Sequence, residues 1–322
     1  MKYSLQDPEV SELTDYNAIL TRQERSMLAL RSLYAENGYA LYKMSKFEEY
    51  ELYLKNKEFL VSDNVITFTD TDGRLLALKP DVTLSIIKNS RPKDNEIIKA
   101  QYNENVYRVS GSTHTFKEIM QSGIECIGKI GDSEVAEVLS LASKSLSSLS
   151  EDYVIEISSL DLVCSVLGAF GIKDSVLDGS LELIGRKNSD GLKAYLSECG
   201  ICDSGIELAA ALTDIYGAPE NVIPKLGKFR VNAEATAAAD KLVFVCNELM
   251  KTTDGCKISI DFSLIGNMNY YNGIAFKGFV RGIPTAVLIG GQYDNLLKKM
   301  GKTSRGIGFA VYLDGIDRLP EA

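Results

Sequence analysis

The sequence predicts an α+β fold: an antiparallel sheet flanked by helices, with a helical insertion at about residues 160–250. Three observations predict it. Short segments of alternating or apolar character follow one another at hairpin spacing. Helical periodicity brackets them at both ends. Between about 160 and 250 that periodicity dominates, broken only by Gly/Pro/Asn loops such as 217–221 and by Pro224. No Gly-x-Gly-x-x-Gly joins a strand to a helix and no Walker A loop is present, so the common nucleotide-binding folds have no foothold.

Taken in order, residues 23–37 read as a helix with Met27, Leu30, Leu33 and Tyr34 on one face, ended by Gly38. Residues 39–43 read as a strand, and 47–53 are acidic and aromatic. The strands 65–69 and 75–78 flank Asp72-Gly73, a hairpin-turn signature. Residues 106–109 and 118–127 read as strands paired across a 110–115 connection. Asp132 and Ser133 are expected to cap a helix carrying Val135, Val138, Leu139, Ala142 and Leu146. After the helical stretch, Ile258, Ile260 and Phe262 alternate with polar residues, the period of a half-buried strand. Strands at 271–280 and 285–289 follow at hairpin spacing.

Composition narrows the function. Apolar content of 45% fits a globular chain, and the formal net charge of −9 weighs against a phosphate backbone as partner. No stretch approaches the ~20 apolar residues of a membrane helix, and the N-terminus shows no apolar signal-peptide region. No nucleic acid, no membrane and a cytoplasmic location are therefore expected. His114 is the only histidine, which removes multi-histidine metal sites. Cys199-Gly200-Ile201-Cys202 has redox or zinc spacing. However, Leu192, Tyr195, Leu196 and Cys199 fall on one helical face, Gly200 suits the cap, and Cys246 joins a stripe with Leu242, Val245 and Leu249. Structural thiols and no metal are expected.

Four segments bring polar groups into a sheet that otherwise needs apolar ones: residues 78–83, 106–108, 120–126 and 269–273. In the third, Gln121, Gly123 and Glu125 share one strand face, and Met120, Ile124 and Cys126 the other. The first set offers an amide and a carboxylate around an empty position, with room for a ligand. A buried Glu125 demands a cationic or hydrogen-donating neighbour, with an Arg108–Glu125 ion pair as the structural alternative. Together the segments suit a small zwitterion. Asp81, with Thr83 and Gln121, could take an α-ammonium, Arg108 a carboxylate, and Glu125 and Tyr271 a polar ring.

In order and spacing these segments resemble the catalytic core of histidyl-tRNA synthetase, a class II aminoacyl-tRNA synthetase. Lys79-Pro80-Asp81-Val82-Thr83 is similar to the family's Arg-Pro-Glu-Gly-Thr. Tyr107-Arg108 with Gln121-Ser122-Gly123-Ile124-Glu125 resembles motif 2, and Tyr270-Tyr271-Asn272-Gly273-Ile274-Ala275-Phe276 the histidine-recognition motif. Gly290-Gly291-Gln292-Tyr293-Asp294 and Gly306-Ile307-Gly308-Phe309-Ala310 resemble motif 3. The resemblance implies a class II synthetase-like core across residues 1–322. It also implies a histidine pocket of Asp81, Thr83, Arg108, Gln121, Glu125, Tyr270 and Tyr271.

The departures are as informative. The arginine that activates the substrate carboxylate falls on Gly266, and the phosphate-gripping arginine of motif 3 on Gly315; Arg318 is a possible substitute. Ser45 stands for the motif 1 proline, and the connection after Arg108 lacks an Arg-Glu pattern. The sequence ends at Ala322 straight after motif 3, so no anticodon-binding domain is expected. One lost preorganised donor costs about 10²–10³ in rate; two lost cations leave no credible aminoacylation, whereas binding needs neither.

This pattern resembles the family of ATP phosphoribosyltransferase regulatory subunits. That resemblance implies a non-catalytic chain without cofactor. It implies a homodimer within a hetero-octamer with the short-form catalytic ATP phosphoribosyltransferase, needed for activity and for histidine feedback on the first step of histidine biosynthesis. Two alternatives stay open: a divergent histidyl-tRNA synthetase fragment or amino-acid-activating ligase, and a stand-alone histidine-sensing pseudo-synthetase.

Overall fold

A computed structural model describes residues 19–60, 64–93, 95–109, 115–265 and 270–318. His114, Gly266 and Asn269 lie outside the described residues, as does the side chain of Arg318. Helix α1 (Arg22–Glu36) opens on a capping box in which Thr21 accepts from the Glu24 amide and Glu24 accepts in return from Thr21. It leads into β1 (Ala40–Leu41), β2 (Phe47–Glu49), α2 (Tyr50–Lys55), β3 (Thr67–Thr69), β4 (Leu75–Leu78) and α3 (Thr83–Asn89). The long hairpin β5 (Ile97–Val109) and β6 (Phe116–Gly128) starts well before the residues its alternation marks. Helix α4 (Asp132–Leu149) and β7 (Tyr153–Ser159) follow. Its N-cap is Gly131 rather than Asp132 or Ser133, and the Gly131 amide donates to Glu134 at 2.7 Å.

Residues from Leu160 onward form α5 (Leu160–Ala169), α6 (Asp174–Gly185), α7 (Ser189–Glu198), α8 (Asp203–Leu212), β8 (Tyr216–Gly217), α9 (Pro219–Val222) and α10 (Ala233–Met250). Strands β9 (Ile258–Asp261), β10 (Ile274–Val280) and β11 (Leu288–Gln292), helix α11 (Asp294–Lys299) and β12 (Arg305–Tyr312) complete the chain. No described helix is long and apolar enough to cross a membrane.

Nine strands form the main sheet in the order β1-β5-β6-β12-β11-β10-β7-β9-β8, and β2-β4-β3 form a small second sheet. The main sheet is mixed, not wholly antiparallel. β1 runs parallel to β5, and β7 parallel to β9. The second pairing is a crossover through the helices of residues 160–250, a connection a parallel pair requires and a hairpin cannot supply.

Both faces of the sheet are covered. On one, Ile124, Cys126, Ile155, Ile157, Phe276 and Phe309 pack with the apolar sides of α1, α4, α5 and α10 in the larger core. On the other, Tyr102, Tyr270 and Tyr293 pack with Phe59, Leu84 and Ile87. Along β6 the odd residues Gln121, Gly123 and Glu125 therefore face this second layer, as period-two alternation requires.

The thiols divide. Cys246 is buried within α10, but Cys199 and Cys202 are exposed. Cys199 is the C-cap of α7, and Gly200, at φ +75°, turns the chain so that Ile201 N reaches Leu196 O. Cys199 thus ends the helix beyond its apolar stripe instead of joining it. Among the described residues no His/Cys/Asp/Glu group could hold a metal ion.

Candidate functional site

Between the central sheet and the second layer lies a cavity of about 240 Å³. All seven candidate ligand-binding residues line it: Asp81, Thr83, Arg108, Gln121, Glu125, Tyr270 and Tyr271. They arrive from four separate places. Asp81 and Thr83 precede and open α3, Arg108 ends β5, Gln121 and Glu125 lie on β6, and the tyrosines precede β10. Gly315 sits in the turn after β12 and does not line the cavity.

Glu125 is buried, 2% exposed. The Thr83 hydroxyl donates to its Oε1 at 2.5 Å and the Tyr293 hydroxyl to its Oε2 at 2.5 Å. The buried carboxylate is thus met by two hydroxyl donors, not by Arg108. Burial pushes the Glu125 carboxyl up to about 8, with the charge of Asp81 acting the same way and the two hydroxyls acting against it. Asp81 is also pushed up by burial, although it accepts from the Leu84 amide at 2.9 Å and feels Arg108. Two buried carboxyls share one pocket, an arrangement that favours a cationic guest.

Arg108 is buried and its Nε donates to Pro80 O at 2.8 Å, which ties the end of β5 to the loop before α3. Gln121 is 2% exposed, and its Nε2 has no hydrogen-bond partner among the described residues. A buried amide donor without a partner costs about 1–3 kcal/mol, so it is ready for an acceptor on a ligand. Lys79, between Leu78 and Pro80, turns away from the cavity and donates to Glu104 at 2.6 Å.

The space above Gly123 is not open. Ring carbon Cζ of Tyr102, its neighbour across β5 and β6, would lie 2.5 Å from an added Cβ, so the tyrosine fills the position that the strand leaves empty. The same device recurs beside it: Tyr271 lies against Gly291, and Tyr293 against Gly306. These glycines let aromatic rings approach the sheet closely and shape the walls. Tyr270 adds edge contacts to Phe59, Tyr271 and Tyr293, with centroids 6.4, 4.8 and 6.1 Å apart. Tyr102, Tyr293, Tyr312 and Lys277 line the cavity although the sequence pattern singled out none of them for it. Tyr293 was within reach of sequence reasoning, because Gly-Gly-Gln-Tyr-Asp marks it as special.

That motif itself is spent on architecture. Gln292 Oε1 accepts from Ile274 N at 3.0 Å, and Asp294 accepts from Gly306 N and from Arg305 Nε. These bonds lock β11, α11 and β12 into one unit and fix Tyr293 over Glu125.

A class is thereby defined: a class II synthetase-type sheet carrying a small, carboxylate-rich, tyrosine-walled pocket sized for an amino acid. The chain belongs to the histidyl-tRNA synthetase family, whose model matches residues 16–316. It is 26% identical over 288 residues to the ATP phosphoribosyltransferase regulatory subunit of Alkaliphilus metalliredigens, covering 88% of this chain and 73% of that one. The fold matches an ATP phosphoribosyltransferase regulatory subunit/histidyl-tRNA synthetase from Bacillus halodurans at a TM-score of 0.80 and 20% identity, covering 98% of this chain and 83% of that one. It also matches a chain of the ATP phosphoribosyl transferase (HisG:HisZ) complex from Thermotoga maritima at 0.71 and 19% identity, covering 94% and 98%.

Tyr271 presents a hydroxyl to this cavity but supplies no charge. Tyr271→Phe is expected to weaken histidine binding by about 0.5–1.5 kcal/mol, the range of a neutral hydrogen bond. Calorimetry showing no change would remove that hydroxyl from the contact set.

Proposed function

We propose that this chain is the non-catalytic regulatory subunit of an ATP phosphoribosyltransferase. In this reading it binds histidine in the cavity and transmits feedback to a short-form catalytic subunit, which needs it for activity. The observation that carries the reading is a contrast. Every residue expected to hold the amino acid surrounds one cavity, while both positions expected to bear the family's activating arginines, Gly266 for the substrate carboxylate and Gly315 for the phosphate, are glycine. A pocket built for recognition has kept its shape where the charges for activation are gone. The regulatory-subunit names of its relatives agree with this.

The contacts follow from chemistry. Asp81, Thr83 and the Gln121 Oε1 take the α-amino group, while the unpartnered Gln121 Nε2 is left to donate to the carboxylate. Arg108 faces the carboxylate, Glu125 and Tyr271 bracket the imidazole, and Tyr270 packs behind them. Histidine favours one quaternary arrangement of a hetero-octamer built on homodimers of this chain, and the catalytic subunits respond through the same coupling energy. A cytoplasmic biosynthetic complex is the setting.

Two measurements test this. Gel filtration with a short-form catalytic subunit should give one assembly whose activity falls on adding histidine. Histidine-dependent ATP–pyrophosphate exchange should be absent; robust exchange would establish the amino-acid-activating alternative.

A further inference from the structure

Pairing across the sheet lays out the floor of the cavity in rows. One row runs Ala275, Gly291, Gly308, Glu125; the next runs Lys277, Ile289, Ala310, Gly123, Tyr102. Glu125 therefore marks one end and Lys277 the other. Three strand spacings separate them, roughly 14 Å between backbones. The four-carbon stem of a lysine is long enough to span part of that gap.

Lys277 is half-buried and lines the cavity. Its ammonium makes no hydrogen bond or ion pair among the described residues. Its cross-strand neighbour Glu156 lies close enough to feel its charge, but Glu156 also feels Lys187, which is bonded to Asp261 at 2.7 Å. Arg108, the other cation of the lining, already has its Nε on Pro80 O. Glu156 offers this ammonium a charge but no hydrogen bond among the described residues, which leaves its donors for a ligand.

We infer that Lys277 is a specificity residue of this cavity: its ammonium joins Arg108 in binding the free carboxylate of the amino acid whose ring meets Glu125. The inference rests on the reading of the cavity as an amino-acid site and deepens it. A fixed positive charge at that end selects an intact, unactivated amino acid and disfavours ligands whose carboxylate is esterified, reduced or absent. The charge belongs to a strand of the sheet.

Calorimetric titration of the full chain with L-histidine and with L-histidinol, which keeps the ring and the α-amino group but lacks the carboxylate, tests it. The unaltered protein should prefer histidine by about tenfold or more, as a charge-assisted bond requires. Lys277→Met should lose about tenfold in histidine affinity and leave histidinol within twofold; Lys277→Arg should retain most of the preference, and Glu156→Gln all of it. Equal losses for both ligands in Lys277→Met, or unchanged histidine affinity, would overturn the assignment while leaving the amino-acid site standing. An unaltered protein that binds neither ligand would end both readings at once.

Discussion

Gly308→Ala is expected to destabilise the protein by about 3 kcal/mol, the upper end for overpacking, and to abolish histidine binding. Gly308 stands opposite Glu125 in the pairing of β12 with β6. An added Cβ would overlap the Glu125 carboxylate and the Ile124 carbonyl, one a flexible side chain and the other backbone. The carboxylate can swing away, but only by leaving the hydroxyls of Thr83 and Tyr293 that hold it. The carbonyl cannot move without opening the middle of the sheet. Gly315→Ala is the control, since its Cβ would meet only the Ile283 side chain at 3.6 Å, an ordinary contact. That change should stay within about 0.5 kcal/mol. Urea titration reads both. Adding Glu125→Ala to Gly308→Ala should recover part of the lost stability, because the side-chain clash goes and the carbonyl clash remains. A Gly308→Ala protein as stable as Gly315→Ala would show that the β12–β6 seam yields freely and that Glu125 is not held as described.

The pairing of Gly308 with Glu125 also marks the limit of sequence reading. Alternation within β6 placed Gln121, Gly123 and Glu125 on one face because that inference needs only a local period, and the structure puts them there. What lies over Gly123 depends on register with β5, and one strand carries no information about its partner's register. Hence Tyr102 fills a place that reads as empty in the sequence. The parallel pairing of β7 with β9 was hidden for a similar reason: about a hundred residues separate the two strands, and alternation does not tell parallel from antiparallel. Lys277 escaped notice because a lysine in a strand ordinarily faces water. The four polar segments were legible because polar side chains in a sheet demand partners, and that demand is the same wherever the partners come from.

Protein stability without ligand should fall as pH rises from about 5 to 8, and Glu125→Gln should flatten that slope. Burial lifts the Glu125 carboxyl from its ordinary 4.5 to about 8. Between these values the unfolded chain has released the proton and the folded one has kept it. The folded state thus binds more protons, and stability is lost as pH climbs through the window, by up to about 1.4 kcal/mol per pH unit. Below 4.5 both states are protonated and the contribution is complete; above 8 the loss is complete. Asp81, raised in the same direction, adds to the slope and remains in the Glu125→Gln variant. Histidine should oppose the loss. Its imidazole can share one proton with the Glu125 carboxyl, so near neutral pH, where the free ring is neutral and the free carboxyl protonated, binding exchanges little proton with buffer. Below about 6.5 the free imidazole is itself charged, and a proton must leave. Glu125→Ala removes the partner altogether and should weaken binding by about 1–3 kcal/mol. Melting temperatures from pH 5 to 9, with and without histidine, measure the slope. Calorimetry in buffers of different ionisation heat measures the proton. A stability that rises across this window in the unaltered protein, or a slope that survives Glu125→Gln undiminished, would mean that the carboxyl is already ionised in the cavity and that histidine meets a fixed anion there.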